Sequence, residues 1–219
     1  SKSAAIISNY NAIRLEDFHG VVPKLIVKEG YKLKAGEAVF FDKSNESIKF
    51  VAPVSGEIVE IKRGEKRRIL ELKIKADKKI IFKTHKKIDF ETAAPEMIKT
   101  LLLSSGCWPF IKQRPYDVIA DPERLPKSIF ISAHATAPLA VNYNFTLQGK
   151  EAELQAAVTA LSKLTEGQVY VGISRDSVSP FSALDNITCC KISGPHPSGN
   201  VGTLINKIDP INKGEIVWT

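Results

Sequence analysis

Between Val27 and Lys75 the chain breaks short apolar stretches with Glu29-Gly30, Ala35-Gly36, Ser55-Gly56 and Arg63-Gly64. Turn signals this close leave little room for helices, and the alternation between them has the two-residue period of strands with one buried face. The stretch predicts a compact, β-rich barrel-sandwich unit of the kind that carrier and adaptor domains use. Its last strand is read from Arg68 to Lys75, with Ile69, Leu72 and Ile74 on the buried side. The unit is placed at 21–90. The segment before it, 1–20, carries Ile6-Ile7 and Ile13 to Leu15 without a clear period and begins without methionine, as a trimmed end would.

From Pro95 the pattern changes. Met97, Leu101 and Leu102 recur at helical spacing, with Pro95 at a position the first turn tolerates, and Gly106-Cys107-Trp108-Pro109 ends the run. Ser128–Ser132 reads as a short buried strand. Leu154, Ala157, Val158, Leu161 and Leu164 then line one face of a helix, with Gly167 as its stop. Val169–Ile173 is a further strand and Ile187–Ser193 a third. Strand, helix and strand in that order predict a right-handed βαβ unit with parallel pairing, so 91–219 is expected to be a Rossmann-like α/β domain. The expected fold class is a two-domain α+β or α/β chain.

In such sheets binding sites collect in loops beyond the strand carboxyl ends, which directs attention to Gly194-Pro195-His196-Pro197-Ser198-Gly199-Asn200-Val201-Gly202-Thr203. The glycines permit close backbone approach and the prolines stiffen the loop around His196. The loop could present N–H groups to a phosphate or a quinone carbonyl, although it lacks the spacing and the lysine of a P-loop. A shaped turn that docks onto a neighbouring subunit is an equally good reading.

A chain of 219 residues is long enough for two ordinary domains, and 43% hydrophobic with 25% charged residues is globular composition. No apolar run approaches the roughly 20 residues that cross a bilayer. The net charge of +7 is concentrated between Lys62 and Lys87. Aromatic residues are hardly interleaved there and no nucleic-acid recognition motif accompanies the charge, so nucleic acid is not the expected partner. An anionic protein face or a lipid surface fits better, with a solvated lysine-rich surface as the plainer reading.

Three cysteines, Cys107, Cys189 and Cys190, form no CxxC pair, and the last two are expected to be small buried hydrophobes in a strand. His19, His85, His134 and His196 show no metal-ligand spacing, so no metal is expected. Asp117, Asp121 and Glu123 sit among prolines as solvated loop charges, and no serine stands in a nucleophile motif, so no catalytic residue is assigned. Lys43 is the one lysine placed where a carrier domain bears its cofactor. The turn predicted over Ser44-Asn45-Glu46-Ser47 displaces it from the hairpin tip, which disfavours a lysine-modified carrier.

The run VKEGYKLKAGEAVFFDKSNESIKFVAPVSGEIVEIKRGEKRRIL, followed by SSGCWPFIKQRPYDVI, SIFISAHATAPLA and SGPHPSGNVGTLINKIDPINKGEIVW, resembles the A subunit of the sodium-translocating NADH:quinone oxidoreductase of bacteria. The resemblance spans nearly all of Val21 to Trp218. It implies a biotinyl/lipoyl-like barrel-sandwich hybrid followed by the Rossmann-like domain, in an N-terminal fragment that lacks later ubiquitin-like and helical regions. It also implies a peripheral subunit on the cytoplasmic side of the inner membrane. The complex couples NADH oxidation and quinone reduction to sodium export, with flavins and iron–sulfur centres in other subunits.

More distantly, the second domain resembles the flavin- and NADH-binding subunit of respiratory complex I and the C subunit of the Rnf complex. Where those relatives carry a glycine-rich loop, Trp108, Pro109 and Phe110 bring side chains, so the resemblance implies that this chain holds no flavin or dinucleotide. Quinone binding is the alternative role, with Trp108, Phe110, Arg114, His134 and His196 as its residues. For docking to other subunits of the complex, Arg63, Lys66, Arg67 and Arg68 are the candidates.

Overall fold

The computed structural model describes residues 8–219. The chain divides into two compact units, one from the described part of Ser1–Lys87 together with Thr100–Pro109, the other from Ile88–Lys99 and Phe110–Thr219.

The first unit holds two antiparallel sheets. One has the order β1 (Tyr10–Arg14), β7 (Ile69–Ala76), β6 (Gly56–Arg63) and β3 (Lys32–Leu33); the other has β2 (Pro23–Leu25), β4 (Ala38–Asp42) and β5 (Asn45–Val51). The inward positions are Val39, Phe40, Phe50, Ile58, Leu72 and Ile74, all fully or nearly fully buried. Phe40 stacks on Phe50 at 4.3 Å and Phe18 meets Phe50 edge-on at 4.7 Å. Burying one such side chain stabilises by about 1.5–3 kcal/mol, so this cluster carries a large share of the unit's stability.

Two features differ from the sequence expectation. Within the opening segment 1–20, Tyr10–Arg14 is an edge strand paired with β7, Ile13 opposite Leu72, while Ile6 and Ile7 lie outside the described residues. Only Ile13 of that strand is buried, which is why no period shows in the sequence. The β4–β5 turn is also tighter than predicted. Asp42 pairs with Asn45, so Lys43 and Ser44 are the two loop residues and Lys43 stands at the tip. Buried Asp42 closes this turn by accepting from Ser44 N at 3.1 Å, Ser44 Oγ at 2.7 Å and Val22 N at 3.2 Å.

Helix α1 (Pro95–Ser105) ends as its sequence predicts. Gly106 takes φ 76° and Cys107 N donates to Leu102 O at 3.1 Å, a left-handed C-terminal cap. Its buried residue is Ile98, whereas Met97 is half exposed.

The second unit is one six-stranded sheet in the order β12 (Thr188–Ile192), β11 (Val169–Ser174), β10 (Ile129–Ser132), β13 (Val217–Trp218), β8 (Lys112–Arg114) and β9 (Val118–Ile119). The first four are parallel and β8 and β9 run antiparallel. Between β10 and β11 the chain forms the single turn α2 (Tyr143–Thr146) and then α3 (Glu151–Ser162); between β12 and β13 it forms α4 (Val201–Ile208). Val171 and Ile173 pack with Val158 of α3, while Phe130 and Tyr170 pack with Leu204 and Ile205 of α4. Alternate strand residues face opposite sides, so the two helices cover opposite faces of the sheet.

Helix α3 stops at Ser162, five residues before the predicted stop. Gly167 serves the packing instead, because a Cβ there would lie 1.9 Å from Lys127 O. Cys189 and Cys190 are corrected too: β12 is the sheet edge, which leaves Cys189 exposed and Cys190 partly so. Local desolvation still pushes both thiols up.

Candidate functional site: a cavity at the carboxyl edge of the parallel sheet

From β10 the chain passes to β11 on one side, and from β12 it returns through α4 to β13 on the other side of β10. Strand order therefore reverses at β10, and the loops leaving the sheet there part to form a crevice. In this protein the crevice is a cavity of about 590 Å³, bounded by Ser132 at the end of β10, Ala135 to Ala137 of the following loop, Tyr143 of α2, Arg114 of β8, Pro197, and Gly199 to Thr203.

Its walls are held by a few short hydrogen bonds. Ser132 Oγ donates to Gly199 O at 2.7 Å, and Thr136 Oγ1 accepts from Gly199 N at 3.1 Å and lies 3.3 Å from His196 Nδ1. Gly199 has to be glycine, since a Cβ would meet His134 O at 2.5 Å and Thr136 N at 2.9 Å. The 194–203 loop thus docks onto the loop after β10 within this same chain. Thr203 Oγ1 donates to Pro197 O at 3.1 Å and ties the loop to α4. Asn200 is the N-cap residue of α4, yet its side chain makes no capping bond and the first turn holds no acidic residue.

Among the described residues, Arg114 supplies the only formal charge in the lining. Its side chain is 28% exposed, with Asp117 3.3 Å from Nη2 and Thr219 Oγ1 3.4 Å from Nε. Two neighbours hold the guanidinium while the rest of its five-donor fork is not committed to them.

Of the five residues expected to hold a quinone, Arg114 alone lines this cavity. Trp108 is 0% exposed and belongs to the first unit, so it offers no aromatic face to a ligand. Phe110 is 76% exposed. His134 lines a neighbouring cavity of about 300 Å³, and His196 is exposed on the loop. Neither Trp108 nor Phe110 lines the switch-point cavity, whose wall includes Ala135, Ala137, Gly199 and Gly202. Ser132, Thr136 and Tyr143 went unassigned in the sequence. Their one signal was position, at the end of a predicted parallel strand or in the segment that follows it.

The basic region also sorts itself by register. Across β6 and β7, Glu57 faces Lys75, Glu60 faces Lys73 and Lys62 faces Glu71. Lys73 Nζ lies 3.8 Å from Glu60. Directly opposed charges of opposite sign offset one another, so the strand cations are locally matched. Other cations gather at the hairpin tip, where Arg63, Lys66 and Arg68 are exposed and Lys66 takes φ 52°. Arg68 lies 3.9 Å from Glu16. The side chain of Arg67 lies outside the described ones.

Among the described residues no three His, Cys, Asp or Glu side chains gather as a metal site, and no helix is long and apolar enough to cross a membrane.

Family models match both units: the NqrA N-terminal barrel-sandwich hybrid domain over residues 3–77 and the NqrA second alpha/beta domain over residues 93–219. Among curated proteins, the chain is 35% identical over 206 residues to the A subunit of the Na(+)-translocating NADH-quinone reductase of Saccharophagus degradans, covering 93% of this chain and 46% of that protein. It is 35% identical to the corresponding protein of Actinobacillus pleuropneumoniae, at 98% and 50% coverage, and 33% identical to that of a Marinomonas species, at 93% and 46%. The chain spans about half the length of these relatives. The barrel-sandwich unit, the α/β unit after it and these matches together establish that the chain belongs to the NqrA family, the A subunits of Na(+)-translocating NADH-quinone reductases.

Proposed function

We propose that this chain works as a peripheral docking subunit of a sodium-translocating NADH-quinone reductase, on the cytoplasmic side of the membrane and without a flavin of its own. The other subunits of that complex would be its partners and its link to the membrane. The observation that supports docking is the hairpin tip, where Arg63, Lys66 and Arg68 stand exposed together beyond the strand lysines that are matched across the sheet. A compact exposed cluster of Arg and Lys steers an anionic partner and adds a salt-dependent contribution to the contact.

Changing Arg63, Lys66 and Arg68 together to Glu tests this. The expected result is an at least tenfold loss of the variant from the complex recovered with the other subunits, at unchanged circular dichroism and melting temperature. Recovery equal to that of the parent chain would remove the docking role.

A second reading, in which this chain contributes a quinone site, is supported by Arg114 alone, the one candidate that lines the switch-point cavity. On that reading Arg114→Gln lowers quinone affinity while assembly stays intact, and unchanged affinity would dismiss it.

A further inference from the structure

We infer that the cavity at the carboxyl edge of the second unit's sheet binds a small phosphorylated molecule, with Arg114 on its phosphoryl group. The site belongs to the second unit and the docking hairpin to the first, and neither proposal depends on the other.

The first argument is the chemistry of the lining. Among the described residues it contains one guanidinium and no carboxylate, and Arg114 keeps donors beyond those that Asp117 and Thr219 occupy. The hydroxyls of Ser132 and Thr203 are spent on the walls, but Tyr143 and Asn200, which both carry donors, also border the space. A half-buried arginine in a donor-rich, acid-free cavity favours an acceptor with several charged oxygens.

The second argument is what fails to cover the cavity's floor. Asn200 is a residue type that normally caps a helix, yet its side chain does not, and the first turn of α4 brings no carboxylate in its place. Thr203 N already donates to Asn200 O at 3.0 Å, so among the described residues the first-turn amides left to face a ligand are those of Val201 and Gly202. Gly202 contributes no side chain, and a Cβ built there would meet nothing within 4 Å, so the approach is open.

Size gives the third. At about 590 Å³ the space lies within the range of small-molecule sites and exceeds what bare phosphate fills. The ligand therefore carries an organic body, which would rest on Ala135, Ala137 and Pro197. Among the described residues, Tyr143 is the only aromatic side chain bordering the space, which favours a phosphoryl ester over a flat neutral ring.

Isothermal titration of the full chain with AMP, phenyl phosphate and inorganic phosphate, with adenosine as the uncharged control, tests the assignment. One-to-one saturable binding of the two esters is expected, weaker binding of inorganic phosphate, and none of adenosine. Arg114→Gln should weaken ester binding at least tenfold. Gly202→Asp should do the same without lowering the melting temperature, because the new carboxylate enters open space at a helix start that favours it. Arg63→Ser with Lys66→Ser should leave ester binding unchanged.

Several results would overturn the inference: no saturable binding of either ester, equal binding of adenosine, binding that both cavity variants leave untouched, or binding that the hairpin variant abolishes. Retention on phosphatidic acid vesicles with no response to soluble esters would also overturn it, in favour of a lipid surface. A response to a quinone analogue but to no phosphate would overturn it in favour of the quinone site.

Discussion

The hairpin tip of the first unit and the cavity of the second both present positive charge, in opposite settings. At the tip, Arg63, Lys66 and Arg68 project into water, where salt screens them and individual ion pairs contribute about 0–1 kcal/mol. In the cavity, a single Arg114 is partly withdrawn from solvent and held by two neighbours. The densest run of basic residues thus marks where a large partner can be steered, whereas the lone arginine marks where a small ligand can be held. Charge density along a sequence measures the first and is blind to the second.

The largest expected effects come from the backbone contacts behind each region. Gly56, at the foot of the tip-bearing hairpin, has φ 155° and a Cβ there would lie 2.0 Å from Lys75 O. Gly56→Ala should cost about 3 kcal/mol, read by denaturant unfolding, since the clash is with backbone that cannot swing away. Gly199→Ala should cost about 2 kcal/mol and also close the cavity, because its new methyl meets the backbone of His134 and Thr136. A neutral outcome at Gly199 would mean that the wall is looser than these contacts imply.

Ser132→Ala is the gentler probe of the same wall. It removes the donor to Gly199 O at 2.7 Å and should cost about 1 kcal/mol.

A pH experiment sharpens the contrast between half-buried and exposed charge. Near the amino end of β10, Lys127 Nζ donates to Glu215 at 3.0 Å and pairs with Asp209 as well. Hydrogen bonds from the Asn212 backbone, then Lys127, hold the Glu215 carboxyl below its ordinary 4.5. A lowered folded pKa adds stability that is present above the unfolded value and lost as pH falls through the folded one. The parent chain should therefore exceed Glu215→Gln in melting temperature at neutral pH, with the gap closing as pH drops below 4.5. A gap that persists in acid would show that the glutamate acts through packing.

The smallest effect is expected at the tip. Reversing Arg63, Lys66 and Arg68 to Glu should change stability by less than about 0.5 kcal/mol. A larger loss would erase the distinction drawn between the two regions.

The features legible in the sequence were those whose cause is local. Glycine at 106 ends α1 because its left-handed conformation is open to glycine, and the strands expected at Ser128–Ser132, Val169–Ile173 and Ile187–Ser193 become parallel neighbours. Edge strands were harder to read. Tyr10–Arg14 buries one residue, and the Thr188–Ile192 edge leaves Cys189 exposed. Lys43 was misplaced because the Asp42 side chain, rather than any turn dipeptide, closes its hairpin. The 194–203 loop and Arg114 were both singled out, but their partners were not. Ser132, Thr136 and Tyr143 carry no motif and join them only across the sheet edge.

By itself, the amino-acid order determined the fold class, a β-rich barrel-sandwich part followed by an α/β part, since turns, caps and apolar periods act over a few residues. Folding in three dimensions decided which lysines are matched by glutamates, that Trp108 is core in the first unit, and that Arg114 meets the distant 194–203 loop. Those outcomes depend on strand register and sheet order, which arise from pairing between distant segments, and no local pattern of residues encodes them alone.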